Sequence, residues 1–280
     1  MQLVQPSFEI IEQESGLNGI YKHIELAGRT CYKSLDKITE NSAQEFVDRM
    51  IKSKHLAMCE HGTVYLYLEY TSPLSDVNYI KATEIKFKYV KNKYSKVISL
   101  SLDHHKTQCY ITTNLRVLVE NDWLDDLEYL CEPTEYHEKR ITVKFVSDIH
   151  FYKDTTRHRV FSWAIESTRF CNYIKAKFGS SVSFLTPIWL KSEEQEEFEE
   201  DLKTIENIYF KWIEKGWQAQ QAAYFLIQGT KAEIIMTGFV EDYKHFFDLR
   251  SSLATTGKPH PTVEELVEPL RQYFINNKFI

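Results

Sequence analysis

The chain has 280 residues, of which 43% are apolar and 26% are charged, and its formal net charge is −6. This is the composition of an ordinary globular protein, large enough for one big core or two modest ones. The mild acidity argues against general binding of long nucleic acids, although a local basic pocket is compatible with it.

Glycine is scarce, with 9 residues among 280, about half of the average usage of roughly 7%. No two glycines are separated by a single residue, so the dinucleotide fingerprint G-x-G-x-x-G does not occur. The one Gly-Lys step, Gly257-Lys258, is followed by Pro259, so there is no P-loop either. The two commonest glycine loops that hold nucleotide phosphates are therefore excluded.

No apolar run in the sequence approaches the ~18 residues that span a bilayer. The first residues show no basic segment followed by an apolar stretch, so no signal peptide is predicted. Both observations predict a cytoplasmic protein that has no membrane partner.

The five cysteines are odd in number, widely scattered and without a C-x-x-C pair. This pattern favours reduced thiols over a disulfide framework or a zinc site. The pair His104-His105 has no carboxylate or cysteine at ligand spacing, so no metal site is predicted.

Hydrophobic spacing predicts helices at both ends of the chain and strands between them. A helix is predicted over 18–31, and Ser42-x-x-Glu45 is a capping box before a second helix. Residues 120–138 are predicted to form helix and loop. Alternation predicts strands over 63–70, 79–90, 95–102, 108–113 and 141–145. Further helices are predicted over 193–214, 217–228, 230–237 and 241–250, and from Thr262-x-x-Glu265 behind Pro261.

This order of elements is typical of an α+β fold with a central antiparallel sheet flanked by helices, and not of alternating βαβ units. The sequence contains no repeat, low-complexity tract or Pro/Ser/Gly-rich linker. A single continuous domain over 1–280 is therefore predicted.

The most distinctive segment begins at Arg157. Arginine forks bind phosphate oxygens bidentately and keep their charge near neutral pH, hydroxyls add donors, and a carboxylate can orient the cations. A solvated charged surface is the alternative, but interleaved apolar residues such as Phe161 and Trp163 argue against it. An anion-binding pocket is therefore predicted. Within 13 residues it would combine Arg157, His158, Arg159, Ser162, Glu166, Ser167 and Arg169.

The basic tripeptide, residues 157–159, is followed by Ser167 in the pattern R-H-R-x7-S. This pattern resembles the signature of the flavin-dependent thymidylate synthases, the ThyX family. Ser162 and Arg169-Phe170 fall where that family has a serine and an Arg-Tyr pair.

Two other regions resemble the same family. His55-Leu-Ala-Met-Cys-Glu60-His61 is similar to its H-x-S/T-x-x-E-H segment, which contacts the flavin, with Ala57 in place of the usual hydroxyl. Residues 27–32 resemble the nearby helix end, and 237–250 resemble the helix that ends in an arginine facing uracil. The resemblance runs in the family's order over about 25–250, with an enlarged strand and helix insertion at about 71–140.

The resemblance implies a role for each matched residue. Arg250 would polarise a uracil carbonyl and, with Ser167, would be catalytic. The FAD contacts would be His55, Glu60, His61, Arg157, His158, Arg159 and His245. The dUMP contacts would be Asp154, Glu166, Ser167, Arg169 and Arg250.

The resemblance also implies the reaction and the assembly. FAD would relay a hydride and a one-carbon unit in the reductive methylation of dUMP to dTMP, with methylenetetrahydrofolate and NADPH as co-substrates. The enzyme would be a homotetramer with active sites at subunit interfaces. The family uses no cysteine nucleophile, so all five cysteines are interpreted as structural.

The sequence departs from the family pattern at three places. Ile165 occupies a position that is usually polar, Ala222-Ala223 stands where the family has Ala-Arg, and Asp154 is shorter than the usual Gln or Glu. Two alternatives therefore stay open. One is altered uridylate chemistry such as hydroxymethylation, and the other is a nucleotide-binding homologue without catalysis.

Overall fold

The computed structural model describes residues 1–71, 77–102, 106–167, 181–255 and 257–280. The chain divides into two compact units. The C-terminal unit consists of Met1–Ile11, Arg29–Leu35 and Thr142–Ile280, and the middle unit of Glu12–Gly28 and Asp36–Ile141. The stretch predicted as an insertion falls in the middle unit. The single domain over 1–280 stays a prediction.

The described residues form a mixture of strands and α-helices along the whole chain. The strands are β1 (Gln2–Val4), β2 (Ser7–Ile11), β3 (Thr63–Thr71), β4 (Lys96–Ser101), β5 (Lys106–Asn114), β6 (Arg140–Asp148), β7 (Ser162–Ile165), β8 (Ser183–Leu185) and β9 (Lys231–Phe239). The α-helices are α1 (Gly16–Cys31), α2 (Ser42–Lys52), α3 (Val77–Val90), α4 (Leu115–Glu120), α5 (Ile149–Thr155), α6 (Gln195–Glu214), α7 (Ala219–Ala222), α8 (Val240–Arg250) and α9 (Pro261–Asn276).

The C-terminal unit is built on a four-stranded sheet in the order β2, β6, β9, β7. Both outer pairs are antiparallel, with Phe8 opposite Phe145 and Ala164 opposite Ile235. Strands β1 and β8 form a separate parallel pair. The predicted α+β class with antiparallel sheets is confirmed.

The middle unit contains an antiparallel sheet in the order β3, β5, β4. Val64, Leu66 and Leu68 alternate along β3 and are buried in its core, as the sequence pattern predicts. Its main hydrophobic cluster also includes Phe46 and Val47 of α2.

The prediction of a strand over 79–90 is wrong, because this stretch is helix α3. Its buried residues are Ala82, Ile85 and Tyr89, which follow the three- and four-residue spacing of a helix face. Ile80, Phe87 and Val90 lie on the outer side and imitate a strand pattern.

The prediction of a helix over 230–237 is also wrong, because this stretch forms the inner strand β9. Residues 234–239 are all buried. An inner strand covered on both faces has a continuous apolar run instead of alternation, and periodicity alone cannot separate it from a buried helix. The helix predicted over 217–228 is reduced to α7 and a 3-10 turn at Ala223–Phe225.

Both predicted capping boxes lie at real helix starts, but the capping contacts differ from those predicted. The Ser42 hydroxyl donates to the Glu25 carboxylate at 2.8 Å and does not cap its own helix. The cap of α9 is His260, whose ring accepts from the Thr262 backbone N–H.

The four cysteines that the structure describes, Cys31, Cys59, Cys109 and Cys131, are free thiols. Cys171 and the His104-His105 pair lie outside the described residues. Across the described parts of the chain, no group of three or more potential ligands is placed to hold a metal ion. Over the same residues, no helix combines the length and hydropathy of a membrane span.

Candidate functional site

The basic tripeptide lies in a tight turn between α5 and β7. The carboxylate of Asp148 caps α5 by accepting from the Phe151 N–H at 2.7 Å. After the helix ends, the His158 N–H donates to the Thr155 carbonyl and the Phe161 N–H donates to the His158 carbonyl. These bonds turn the chain so that His158 faces inward and its two arginine neighbours face outward.

Gly238 of β9 makes room for this turn. A Cβ atom at Gly238 would lie 2.3 Å from the Phe161 ring, far inside contact distance. Phe161 packs in turn against Tyr243 and Phe246 of α8. The glycine therefore allows the turn, the sheet and α8 to meet within one aromatic cluster.

Arg250, the last residue of α8, is held by the same turn and by α5. Its Nε donates to Nε2 of His158 at 3.2 Å, and its two terminal nitrogens donate to the Asp154 carboxylate at 3.2 Å and the Asp154 carbonyl at 3.0 Å. A guanidinium has five N–H groups. Two donors therefore remain for a ligand on this side chain.

His158 is a neutral acceptor in this cluster. Burial, together with the charges of Arg250 and His245, lowers its pKa to about 4, while Asp154 opposes the shift. Because Nε2 accepts from Arg250, the proton of the neutral ring is assigned to Nδ1. The ring also packs edge-on against Phe246 at 5.0 Å, which holds its orientation.

The Arg157 and Arg159 side chains are exposed. Neither forms an ion pair or hydrogen bond with any residue that the structure describes. Two guanidinium groups with unused donors, two positions apart on a constrained turn, suit a phosphate or pyrophosphate group. The donor set therefore fits the anionic part of the flavin dinucleotide that the family resemblance implies.

Glu166 lies at the centre of a buried charge network after β7. One of its carboxylate oxygens accepts from Lys231 at 2.9 Å and from the Glu233 N–H at 3.1 Å, and the other lies 3.2 Å from Nζ of Lys33. The Glu166 side chain is 2% exposed. This carboxylate is therefore compensated by two lysines that the sequence pattern did not single out.

The network also shifts the pKa values of its other members, Lys231 and Glu233. Burial disfavours charge on Lys231, but Glu166 and Glu233 outweigh it and raise the lysine pKa. Burial likewise opposes ionisation of Glu233, but Lys231 and Lys144 bring its pKa below the usual value. The sequence contained a signal for this network, since Lys231 and Glu233 are two positions apart and therefore lie on one face of an otherwise apolar strand.

Ser167 follows directly and is partly buried. Its backbone N–H donates to the Cys31 carbonyl at 3.0 Å, and burial raises the pKa of the Cys31 thiol to about 11. That thiol is a poor nucleophile. Arg169, the remaining residue of the signature segment, lies outside the described residues.

His245 is exposed on α8, and its ring centroid lies 5.9 Å from that of His158. Ala223 starts the 3-10 turn after α7, where the family has an arginine. The next residue, Tyr224, is 87% exposed.

Of the predicted site residues, the structure brings together Asp154, His158, His245 and Arg250 within the C-terminal unit.

His55, Glu60 and His61 belong to the middle unit. His55 is exposed, Glu60 is ion-paired with Arg116, and His61 is fully buried. The Glu60 carbonyl also accepts from Arg140 at 3.0 Å. Flavin contact by these three residues stays a prediction.

Comparison with known proteins agrees with the sequence resemblance. Residues 133–271 match the family model described as thymidylate synthase complementing protein. The match includes the basic tripeptide, Glu166 with its partner Lys231, and Arg250. The predicted resemblance to that family is confirmed over this segment.

Two solved structures are also similar to the chain. They are of a UMP/dUMP methylase, PolB, from Streptomyces cacaoi, bound with 5-Br dUMP in one case and 5-Br UMP in the other. Each is 12% identical, covers 99% of this chain and 92% of its own, and has a TM-score of 0.43 or 0.46 respectively. No curated protein sequence matches the chain.

Proposed function

We propose that the protein is a flavin-dependent thymidylate synthase that methylates dUMP to dTMP. The observation that carries the proposal is the hydrogen bond between His158 of the basic tripeptide and Arg250, 92 residues apart, inside the family-matched segment. The two motifs are expected to face the flavin and uracil respectively. Their contact therefore supports one site that serves both.

Arg250 would bind a uracil carbonyl through its two remaining N–H groups. Withdrawal of electron density from that carbonyl makes the ring carbons more electrophilic, and the guanidinium is held ready for this by Asp154 and His158. The Ser167 hydroxyl and Arg169 would complete the contacts to dUMP. Glu166 would contact dUMP while it stays paired with its lysines.

Arg157 and Arg159 would hold the pyrophosphate of FAD, with His158 and His245 behind them. His55, Glu60 and His61 would also contact FAD. When bound, FAD supplies hydride transfer and the relay of the one-carbon unit, with methylenetetrahydrofolate as donor and NADPH as reductant. The protein supplies charge and orientation.

The proposal includes a homotetramer with active sites at subunit interfaces and a location in the cytoplasm. Light scattering coupled to gel filtration measures the assembly directly. A monomer that carries full activity would contradict the interface site without affecting the proposed chemistry.

The decisive experiment combines a spectrum with an assay. The purified protein is expected to show a flavin absorbance spectrum that changes on addition of dUMP. Incubation with 5-tritiated dUMP, methylenetetrahydrofolate and NADPH is expected to release tritium, and the product mass is expected to be that of dTMP.

Two outcomes would overturn the proposal. A colourless protein that does not take up added FAD would favour a nucleotide-binding homologue without catalysis. Tritium release with a hydroxymethyl product would establish the altered uridylate chemistry instead.

A further inference from the structure

The C-terminal unit contains a cavity of about 270 Å³ that none of the predicted site residues lines. Small-molecule sites have volumes of roughly 300–1,000 Å³, so this cavity suits a compact ligand. Its walls are mainly apolar and include the rings of Phe184, Trp189 and Phe198. Trp189 is half exposed and forms part of the rim.

One side of the cavity is polar. Asp148, His150 and His260 lie there, and the two imidazole rings stack with centroids 3.7 Å apart. His150 is hydrogen-bonded to the Gln228 side chain at 3.2 Å, and His260 to the Thr262 hydroxyl at 2.8 Å. Both rings are therefore held in place beside the carboxylate.

Two acidic side chains, Asp148 and Glu265, lie close together on this side, and burial raises the pKa of the Asp148 carboxyl above its usual value. Asp148 is 4% exposed, and its Oδ1 accepts from the Phe151 N–H. The pKa of Glu265 on α9 is raised to about 7, first by burial and then by the nearby Asp148 carboxylate. Among the described residues, neither acid is ion-paired with a lysine or arginine.

The ring of His260 adds little positive charge near neutral pH. Burial, followed by the neighbouring His150, lowers the pKa of His260 below its usual value. Oε1 of Glu265 is buried and has no hydrogen-bond partner among the described residues. A cation inside the cavity would compensate Asp148, and aromatic walls favour cations over anions.

We propose that this cavity binds a small organic cation, a primary amine that carries an aromatic or apolar body. The ammonium group would lie against Asp148, and the body would pack between Phe184, Trp189 and Phe198. The site is independent of the proposed synthase activity. Its polar residue His150 lies one turn before Asp154 on α5, so the two sites share a helix.

Three probes of nearly equal shape test the role of charge: benzylamine, benzyl alcohol and benzoate. Ligand-observed NMR titration of the full chain near neutral pH gives the dissociation constant of each. We expect benzylamine to bind at least about tenfold more tightly than benzyl alcohol, a difference of about 1.4 kcal/mol. Benzoate is expected to bind more weakly than either.

The matched variant is Asp148→Asn, because asparagine keeps the helix cap and the volume but loses the charge. It is expected to remove the preference for benzylamine and to leave the affinity for benzyl alcohol unchanged. Asp201→Asn, on the exposed side of α6, is the control and is expected to change neither.

A second variant tests the location. A Cβ atom at Gly229, which lines the cavity, meets only Ile227 Cδ1 at 3.7 Å. Gly229→Val is therefore expected to fold and to weaken both benzylamine and benzyl alcohol by filling the space. The proposal is overturned if benzylamine does not bind, if Asp148→Asn keeps the preference, or if Gly229→Val binds as tightly as the wild type. Binding of dUMP and FAD is measured alongside, and its loss would bear only on the proposed function.

Discussion

The guanidinium of Arg250 holds Asp154 at two points, the side-chain carboxylate at 3.2 Å and the main-chain carbonyl at 3.0 Å. The second contact does not depend on the side chain at position 154. Together with the bond to His158, it gives the guanidinium one orientation. Asp154 is thus placed to position Arg250, in addition to the contact with dUMP that the sequence predicts.

Arg250→Ala is expected to abolish turnover while most of the bound flavin is retained. Loss of one oriented donor at a developing negative charge reduces kcat by about 10²–10³-fold. Tritium release measures turnover, and the ratio of flavin to protein absorbance measures occupancy. The control is Lys244→Ala on the exposed side of α8. Loss of flavin from the Arg250 variant would mean that its assignment to uracil is wrong.

Arg159→Ala is expected to deplete the purified protein of flavin. The exposed guanidinium has no described partner in the protein, so its removal leaves the fold intact and takes away a charge-assisted contact of roughly 1.5–3 kcal/mol. Lys153→Ala, an exposed residue of α5, serves as the control for charge. Full flavin occupancy in the Arg159 variant would show that the tripeptide binds something else.

The buried His158 predicts a specific loss of stability in acid. Its pKa is about 4 in the folded protein and 6.5 in the unfolded chain. The unfolded chain therefore binds more protons between these values, and stability is full above pH 6.5 and falls as the pH drops towards 4. The effect is at most about 3 kcal/mol.

His158→Gln isolates this effect, because glutamine accepts from Arg250 but does not titrate. Urea unfolding at several pH values is expected to show a smaller acid loss in the variant than in the wild type. His23 of the middle unit also has a pKa of about 4, but it is present in both proteins and cancels. Parallel curves for the two proteins would contradict the prediction.

Glu166→Gln is expected to destabilise the C-terminal unit by about 3–5 kcal/mol, because two lysines lose a buried partner. The matched control is Glu199→Gln, which breaks the exposed pair with Lys203 on α6 and is expected to cost less than about 1 kcal/mol. Thermal and urea unfolding measure both. Equal effects would show that Glu166 contributes no more than a surface charge.

Ala223→Arg restores the guanidinium that the family has at this position. It is expected to tighten dUMP binding by about tenfold, the equivalent of about 1.4 kcal/mol. Calorimetric titration of dUMP measures it, with Ala223→Gln as an uncharged control of similar length. An unchanged dissociation constant would indicate that another cation already contacts the nucleotide.

Local sequence patterns by themselves determined the positions of many helices and strands and the resemblance to a family. Alternation located β3, β4 and β5, helical spacing located α1 and α6, and the fixed spacing R-H-R-x7-S was enough to indicate the family. These signals are readable because side-chain direction repeats every 2 residues in a strand and every 3.6 in a helix. The same rule failed for β9, since burial on both faces removes the alternation.

The tertiary structure alone decided which charges meet. The sequence predicts Arg250, His158 and Glu166 as site residues. It does not show that Arg250 donates a hydrogen bond to His158, or that Lys33 and Lys231 compensate the charge of Glu166. Nor does it place Asp148 beside the stacked pair His150 and His260. Such contacts join residues tens of positions apart, and they depend on packing that no local period encodes. The physical reason is that charge pairing follows distance in space, whereas sequence periodicity reports only direction along one element.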